Sequence, residues 1–273
     1  MLIRALRPGD IPQAMRLKEA AGWNQTEEDW LNLIELEPEG CFALELEGRL
    51  VSTTTVICYG QDLAWIGMVL TDPEYRGRGF ARRLMEHALA WLRARQIRWI
   101  KLDATDMGRP LYLSLGFQDE DIVERWAVAP RAPTAEPEGI FPFDLDEQLD
   151  REAFGADRRA VLARLARWET ASLPGCAYAM GRPGSNAFYF GPCVSRSPLA
   201  ARRLLEAFLA RHAGETVFWD LLPANRAAVE LARAFGFEPQ RRLVRMVRRG
   251  TGQGPPVTHS HELIYGIAGF EFG

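Results

Sequence analysis

The sequence lacks the features that mark a metalloprotein, a secreted protein or a membrane protein. It has only four cysteines and four histidines in 273 residues, and no Cys-x-x-Cys pair or metal-ligand spacing links them. His259 and His261 alternate, but no third ligand accompanies them. No run of about 18 apolar residues occurs, and the amino terminus lacks the apolar core of a signal peptide. We therefore expect a cytoplasmic protein that holds no metal and contacts no membrane.

The chain also lacks a strong net charge. Its formal charge is -3 and its isoelectric point is about 5.9, so its overall field does not favour nucleic acid. Only Lys18 and Lys101 are lysines, and arginine supplies the other basic side chains. The arginines of residues 241–249 alternate with Leu, Val and Met, which predicts an amphipathic strand with one solvated face rather than a nucleic-acid-binding strand. The expected partners are small molecules and no nucleic acid.

A glycine-rich turn joins an apolar strand, predicted at residues 63–70, to a helix predicted from Gly77 to about Arg95. Without a Cβ atom at Gly77 and Gly79, the backbone can approach a phosphate, and the free N–H groups at the start of the helix point at it. The turn therefore predicts a pyrophosphate site at the amides of residues 77–82. A P-loop would need Gly-Lys-Ser/Thr, and a Rossmann turn would need a third glycine where Arg82 stands.

The pattern Arg76-x-x-Gly79-x-Ala81 resembles the acetyl-CoA loop of the GNAT N-acetyltransferases. Downstream, the segment from Tyr112 to Phe117 resembles the Tyr-x-x-x-Gly-Phe of that family. The predicted element order over residues 1–129, β-α-α-β-β-β-α-β-α-β, is the order that the resemblance implies for a complete GNAT domain. The implied fold class is α+β, with a mostly antiparallel mixed sheet flanked by helices, and the implied acyl donor is acetyl-CoA.

The second half of the chain repeats the first at a constant offset of 120 residues. Residues 81–86 match residues 201–206, and the Gly-Phe pair at 116–117 matches the pair at 236–237, which favours duplication. In this register Ser197, Pro198 and Leu199 replace Gly-Arg-Gly, so an amide donor is lost and a side chain enters the phosphate site. We expect a Pro-rich linker at residues 130–139, a degenerate GNAT-like domain at residues 140–273, and one acetyl-CoA per chain.

Acetyl transfer needs an unprotonated amine, a donor for the oxyanion and an acid for the leaving thiolate. Tyr112 lies at the family's position for that acid; the alternative is an aromatic side chain that only packs on the sheet. Asp103 ends a strand where some GNAT enzymes place an acidic residue, so it is the candidate general base; the alternative is a cap or loop contact. Asp106 and Glu45 are weaker candidates for the base.

The resemblance also implies two sets of binding residues. The pantetheine arm is expected to pair like an added strand with the backbone of Val69 and Thr71. The full set expected to bind acetyl-CoA is Val69, Leu70, Thr71, Arg76, Gly77, Arg78, Gly79, Phe80, Ala81, Arg82 and Thr105, where Thr105 stands at the position of a family Asn that the second copy keeps as Asn225. The set expected to bind the acceptor is Trp23, Asn24, Gln25 and Trp65, with core packing of Trp23 and a turn role of Asn24 as alternatives.

The predicted function is transfer of an acetyl group from acetyl-CoA to a primary amine of a small acceptor. The chain resembles the tandem bacterial acetyltransferases over nearly its whole length, including the closing Gly-Phe-Glu-x-Gly of residues 269–273. The alternative is a non-catalytic sensor or scaffold that binds acetyl-CoA or CoA. The acceptor, the acyl-chain preference and a homodimer stay open from the sequence.

Overall fold

A computed structural model describes residues 1–141 and 145–273. The chain forms two compact units: the first contains Met1–Asp119, Met246–Pro256 and Phe272, and the second contains Glu120–Arg245, Val257–Glu271 and Gly273. Residues 142–144 of the predicted second domain lie outside the described residues. The predicted fold class is confirmed, because helices flank strands that pair mostly antiparallel.

The first unit contains the first nine of the ten predicted elements in the predicted order, whereas the tenth, the closing strand, lies mostly in the second unit. The nine are β1 (Leu2–Ala5), α1 (Ile11–Ala20), α2 (Glu27–Leu36), β2 (Phe42–Leu46), β3 (Arg49–Tyr59), β4 (Leu63–Thr71), α3 (Phe80–Ala94), β5 (Trp99–Ala104) and α4 (Arg109–Ser114). The strands are arranged β1-β2-β3-β4-β5. All neighbours are antiparallel except β4 and β5, which are parallel because α3 connects them as a crossover.

The ends of α1 and α2 show how local sequence sets the helix boundaries. Thr26 caps α2: its hydroxyl accepts a hydrogen bond from the Asp29 amide (3.4 Å), and the Asp29 carboxylate accepts one from the Thr26 amide (2.8 Å). This capping box satisfies two otherwise unpaired amides. Asp10 precedes α1 but its side chain does not cap it, because its carboxylate accepts hydrogen bonds from Arg4 and from the Arg7 amide instead.

The second unit repeats this element order. Its elements are β6 (Gln118–Val128, of which residues 118–119 belong to the first unit), α5 (Glu147–Phe154), α6 (Arg159–Leu165), β7 (Glu169–Leu173), β8 (Ala177–Arg182), β9 (Phe188–Ser195), α7 (Pro198–Arg211), β10 (Val217–Leu221), α8 (Arg226–Ala234), β11 (Glu238–Arg249, ending in the first unit) and β12 (Ile264–Gly266). The strands are arranged β11-β6-β10-β9-β8-β7, and β12 pairs with β9. The large buried rings of its core include Phe190, Phe208 and Trp219.

Two expectations about the second half need correction. The sequence of residues 259–273 predicts a strand that closes a sheet, but only Ile264–Gly266 forms one, after a single 3-10 turn at His261–Leu263. The arginines of β11 do not form one solvated face, because Arg245 is only 1% exposed. The predicted linker is irregular and is fixed within the second unit, where the Arg131 amide donates to the Ala213 carbonyl (2.7 Å).

Candidate active site

The glycine-rich turn adopts a conformation that only glycine takes readily. Gly77 and Gly79 have φ angles of 75° and 77°, in the left-handed region. For this reason α3 begins at Phe80 and not at Gly77. A Cβ atom at either glycine would meet no atom within 4 Å. The turn therefore faces open space, as a binding site for a large ligand must.

The amides at this turn are free to bind an anion. In the described part of the chain, none of the amides of residues 77–82 donates a hydrogen bond, and the first to do so is that of Arg83, to the Gly79 carbonyl (3.1 Å). The positive end of the α3 dipole lies at the same point. Six unpaired donors at an exposed helix start fit a pyrophosphate group.

The three arginines of the turn lie around these amides. Arg76 donates to the Thr71 carbonyl (3.3 Å), and Arg78 donates to the Glu74 carbonyl (3.2 Å). Arg82 donates to the Ser114 hydroxyl (2.8 Å) on α4. All three side chains are exposed, so they add positive charge at the mouth of the turn without closing it.

Beside the turn, β4 and β5 separate. They pair only through residues 63–65 and 99–101, although β4 continues to Thr71. The Asp72 amide donates to Val51 on β3 (2.9 Å), and Leu70 also turns its carbonyl toward β3, to the Ser52 hydroxyl. Because backbone groups alternate along a strand, those of Val69 and Thr71 point to the opposite edge. This edge offers the pairing groups that an extended ligand requires.

A β-bulge interrupts the pairing of β4 with β3 next to this edge. Met68 and Val69 together face the single residue Thr54 of β3, and Met68 has a φ angle of 48°. Thr53 stabilises the bulge, because its hydroxyl donates to the Met68 carbonyl (2.8 Å). Bulges redirect side chains and backbone groups at active sites, and this one lies directly before the predicted pantetheine contacts.

The strand register places the candidates Trp65 and Asp103 on one face of the sheet, together with Lys101. Phe42, the partner of Thr54, packs its ring against His87 of α3 (centroids 4.7 Å apart), so α3 covers that face. Trp65 and Lys101 pair with each other on the opposite face, and Asp103 follows Lys101 by two residues. Trp65 and Lys101 are fully buried, whereas Asp103 is half-buried.

The rarity of lysine in this sequence is a signal for Lys101. Arginine supplies almost every basic side chain, yet both lysines are buried: Lys18 is 2% exposed and Lys101 is 0% exposed. Burial lowers the pKa of Lys18. The two lysines of the chain therefore both lie at buried positions.

Tyr112 lies on α4 with its side chain 7% exposed. Its ring packs against Gly108, where an added Cβ atom would lie 2.9 Å from Cε2 of Tyr112, and its edge meets Phe117 (centroids 6.1 Å apart). Burial raises the pKa of Tyr112 well above its ordinary value. The hydroxyl therefore stays protonated at neutral pH. The contact between Gly108 and the Tyr112 ring was not predicted. Its signal in the sequence was a glycine four residues before an aromatic residue.

Thr105 connects β5 to α4. Its hydroxyl accepts a hydrogen bond from the Gly108 amide (3.2 Å), and its carbonyl accepts one from the Arg109 amide (2.9 Å). The side chain thus organises the turn before the helix that carries Tyr112.

The predicted acceptor residues lie in the loop between α1 and α2. Asn24 and Gln25 are 5% and 6% exposed, whereas Trp23 is half-buried. The Trp23 amide donates to the Lys18 carbonyl at the end of α1 (3.2 Å). The loop is therefore well packed, and each of these side chains has polar or ring contacts.

Sequence reasoning missed two fully buried polar side chains, Asn32 on α2 and Thr55 on β3. Neither the Asn32 amide nor the Thr55 hydroxyl has a hydrogen-bond partner among the described residues. By strand alternation, Thr55 lies on the sheet face opposite α3, the face that also carries Trp65. Buried polar atoms in native proteins are normally satisfied by protein, water or ligand. A lone Asn inside the apolar run Leu31–Ile34 was the available signal.

The equivalent turn of the second unit has lost most of its donors. The Ser197 amide donates to the Ser195 hydroxyl (3.1 Å), Pro198 has no N–H group, and the Ala201 amide donates to Ser197 (3.0 Å). In the repeat register α7 begins two residues earlier than α3. Helix therefore replaces the open turn, and Leu199 projects from it with 67% exposure.

Comparison with known proteins agrees with these observations. The profile of the Acetyltransferase (GNAT) family matches residues 12–117, and that of the Acetyltransferase (GNAT) domain matches residues 147–266. The chain belongs to the GNAT family. It is 26% identical over 216 residues to the uncharacterized N-acetyltransferase YitH of Bacillus subtilis. The aligned region covers 73% of this chain and 75% of YitH. The protein is an N-acetyltransferase with two GNAT domains in tandem.

Solved structures confirm the tandem GNAT fold. The structure of a candidate acetyltransferase from Pyrococcus horikoshii matches with a TM-score of 0.87 at 23% identity. The match covers 100% of this chain and 95% of the Pyrococcus chain. A tandem GNAT protein from the clavulanic acid biosynthesis pathway has a TM-score of 0.60 at 17% identity, covering 93% and 99%. GNAT enzymes use acetyl-CoA as the acyl donor. None of the helices in residues 1–141 and 145–273 is long and apolar enough to span a membrane.

Proposed function

We propose that this GNAT enzyme transfers an acetyl group from acetyl-CoA to a primary amine of a small acceptor, and that its first unit carries the reaction. The observation that carries the proposal is the set of six unpaired amides at residues 77–82, beside Gly77 and Gly79 in open space. The second unit has a closed turn at the equivalent place. We therefore assign one acetyl-CoA to each chain and regard residues 140–273 as a degenerate domain.

The donor lies along the edge where β4 and β5 separate. The amides of residues 77–82 bind the pyrophosphate, with added charge from Arg76, Arg78 and Arg82. The backbone of Val69 and Thr71 pairs with the pantetheine arm. Leu70 faces β3 with its backbone, so it supports this edge rather than pairing with the donor. Thr105 holds the turn that follows β5 and contacts the donor from that side.

Three groups carry out the chemistry. Asp103 accepts the proton of the acceptor ammonium, directly or through water, so that the amine can attack the thioester carbonyl. As the new C–N bond forms and the C–S bond breaks, Tyr112 donates its hydroxyl proton to the thiolate. Burial raises the pKa of Tyr112, so the hydroxyl carries its proton at neutral pH. Trp23 lines the acceptor pocket, and Asn24, Gln25 and Trp65, which are almost fully buried, support its wall from behind.

A thiol-release assay tests the proposal. Acetyl-CoA is supplied with a panel of alkylamines, amino alcohols and amino acid amides, and free CoA is measured. We expect amine-dependent release that Tyr112→Phe reduces by about 100-fold, the usual contribution of a general acid. Tight binding of acetyl-CoA with no release above background for any amine would contradict the proposed acceptor class. Unchanged release in Tyr112→Phe would contradict the assignment of the acid.

The four cysteines are present as free thiols, which agrees with a reducing compartment. We propose that the enzyme acts in the cytoplasm. Fractionation of the native host, with the enzyme traced by antibody, tests this location.

A further inference from the structure

The second unit contains the same strand separation as the first. β9 and β10 pair in parallel only through residues 188–190 and 217–219, just as β4 and β5 pair only through residues 63–65 and 99–101. In each unit the two strands then separate at the start of a helix, α7 or α3. By topology, the gap between β9 and β10 is the second copy of the proposed pantetheine path.

In the second unit this gap is filled by residues 264–267 of the chain itself. The segment pairs antiparallel with β9, where Ile264 faces Val194 and Gly266 faces Cys193. On its other side, the Ile267 amide donates to the Asp220 carbonyl of β10 (3.0 Å). Residues 264–267, which we call the inserted strand, thus bond to both of the strands that separate.

Side chains of the surrounding elements hold the backbone of the inserted strand. The indole Nε1 of Trp219 donates to the Tyr265 carbonyl (2.7 Å), and the Tyr189 hydroxyl donates to the Ile267 carbonyl (3.0 Å). Asn225 Nδ2 donates to the Ile264 carbonyl (3.0 Å). Three buried carbonyls of a four-residue segment are therefore each bound by a side-chain donor, and the segment is nearly inaccessible to solvent.

Two glycines provide the space for this close approach. A Cβ atom at Gly266 would lie 2.9 Å from Trp219 Nε1. A Cβ atom at Gly191, which has a φ angle of 148°, would lie 2.3 Å from the Ile267 carbonyl oxygen. Contacts below 3 Å require a shift of the backbone or of a packed ring. Both sides of the junction are thus built for the inserted strand.

We infer that the inserted strand permanently occupies the acyl-CoA path of the second unit, as a peptide replacement for the pantetheine arm. An extended peptide offers the same amide groups to two strand edges as that arm would. The second unit is then closed to acyl-CoA by two separate changes, the altered turn at residues 197–199 and the inserted strand. This inference rests on the proposed path of acetyl-CoA along Val69 and Thr71 in the first unit.

Hydrogen exchange of the full chain, followed by mass spectrometry with and without saturating acetyl-CoA, tests the inference. We expect acetyl-CoA to slow exchange in residues 66–82, while residues 188–195 and 262–268 exchange slowly and equally in both conditions. Faster exchange of residues 262–268 with acetyl-CoA would mean that the ligand displaces the inserted strand, which overturns the inference. Slow exchange there, without any protection of residues 66–82, would overturn the proposed donor site alone.

A repaired turn gives a second test that separates the two changes. The triple substitution Ser197→Gly, Pro198→Arg and Leu199→Gly copies the first turn into the second copy. Because the inserted strand still fills the path, native mass spectrometry should find one acetyl-CoA per chain, as in the wild type. Two per chain would show that the turn alone excluded the ligand, and the inference would be wrong. Gly79→Leu is the matched control, and it should reduce the count to zero.

Discussion

Thr105 and Asn225 stand 120 residues apart and cap their turns in the same way. Each side-chain oxygen accepts a hydrogen bond from the amide three residues later, Gly108 at 3.2 Å in the first unit and Ala228 at 3.1 Å in the second. Asn225 has an amino group as well, and it binds the inserted strand at Ile264. Threonine has no amide NH2 group, and its single hydroxyl is the atom that binds Gly108. The two residues therefore share a structural role, and they differ in what they offer to the gap between the strands.

The cap at Thr105 predicts a measurable loss of stability. Thr105→Ala should lower the free energy of unfolding of the first unit by about 0.5–1 kcal/mol, the net contribution of one neutral hydrogen bond, because the Gly108 amide keeps its other bond, to the Thr105 carbonyl (3.0 Å). Thr105→Ser keeps the hydroxyl and should stay close to the wild type. Thermal unfolding compares the three proteins. Equal midpoints for Thr105→Ala and the wild type would mean that the bond to Gly108 contributes nothing.

The open turn predicts that Gly79→Leu abolishes acetyl-CoA binding while the fold persists. Leucine at a φ angle of 77° costs about 1–2 kcal/mol, and a Cβ atom there meets no neighbour. The side chain would project into the space that the pyrophosphate needs. Titration calorimetry should detect no binding, with a circular dichroism spectrum like that of the wild type.

Leu199→Gly in the second copy is the matched control for Gly79→Leu. It changes the same register position in the opposite direction, far from the proposed donor site in sequence. We expect wild-type affinity for acetyl-CoA. A loss of affinity in this control would assign the donor to the second unit.

Local signals predicted most of the elements, because caps, glycines and periodic apolar residues act over a few positions. Thr26 is one example, because it sets the start of α2. The turn at Gly77 is another, because it separates β4 from α3. The pairing of segments that are distant in sequence could not be predicted. That β6 pairs with β10, or that Ile267 bonds to Asp220, depends on contacts between distant segments that no local pattern records.

The candidate site shows the same division. The glycines of the turn could be identified because a phosphate cradle needs a particular local backbone. The contact of Gly108 with Tyr112 could not be identified, and neither could the burial of Asn32 and Thr55. These features depend on which distant segments pack against each side chain. A buried polar residue looks like a surface residue in sequence, so only burial distinguishes them.

The burial of Tyr112 predicts the pH dependence of catalysis. An acid is lost as pH rises through its pKa, and burial raises the pKa of Tyr112 above its ordinary value of about 10. Loss of this acid should therefore not limit kcat below pH about 10. Tyr112→Phe should lower kcat equally at all pH values in that range and leave the shape of the profile unchanged. A wild-type decline near pH 9 that vanishes in Tyr112→Phe would show that Tyr112 titrates there.

The unpartnered atoms of Asn32 and Thr55 predict opposite effects on stability and on substrate binding. Thr55→Val and Asn32→Leu replace each polar group by an apolar group of similar shape, which removes a buried unsatisfied atom and should raise stability by about 1 kcal/mol. If these atoms bind the acceptor, KM for the best amine of the panel should rise about tenfold or more, the effect of losing about one hydrogen bond, while KM for acetyl-CoA stays constant. Higher stability with an unchanged KM for the amine would limit both residues to a structural role.

The buried pair of Arg125 and Asp220 predicts a strong, non-additive effect on the second unit. The two residues face each other across β6 and β10, with two hydrogen bonds of 2.8 Å and 2.7 Å, and Asp220 is fully buried. Arg125→Leu leaves the Asp220 carboxylate buried without its partner, which should cost about 3–5 kcal/mol. Arg125→Leu with Asp220→Leu removes both charges and should recover much of that loss, since two apolar side chains can replace a buried ion pair. Urea unfolding of the single and double variants gives the coupling energy of the pair. If the losses in free energy of unfolding were additive, the two residues would not act as a unit.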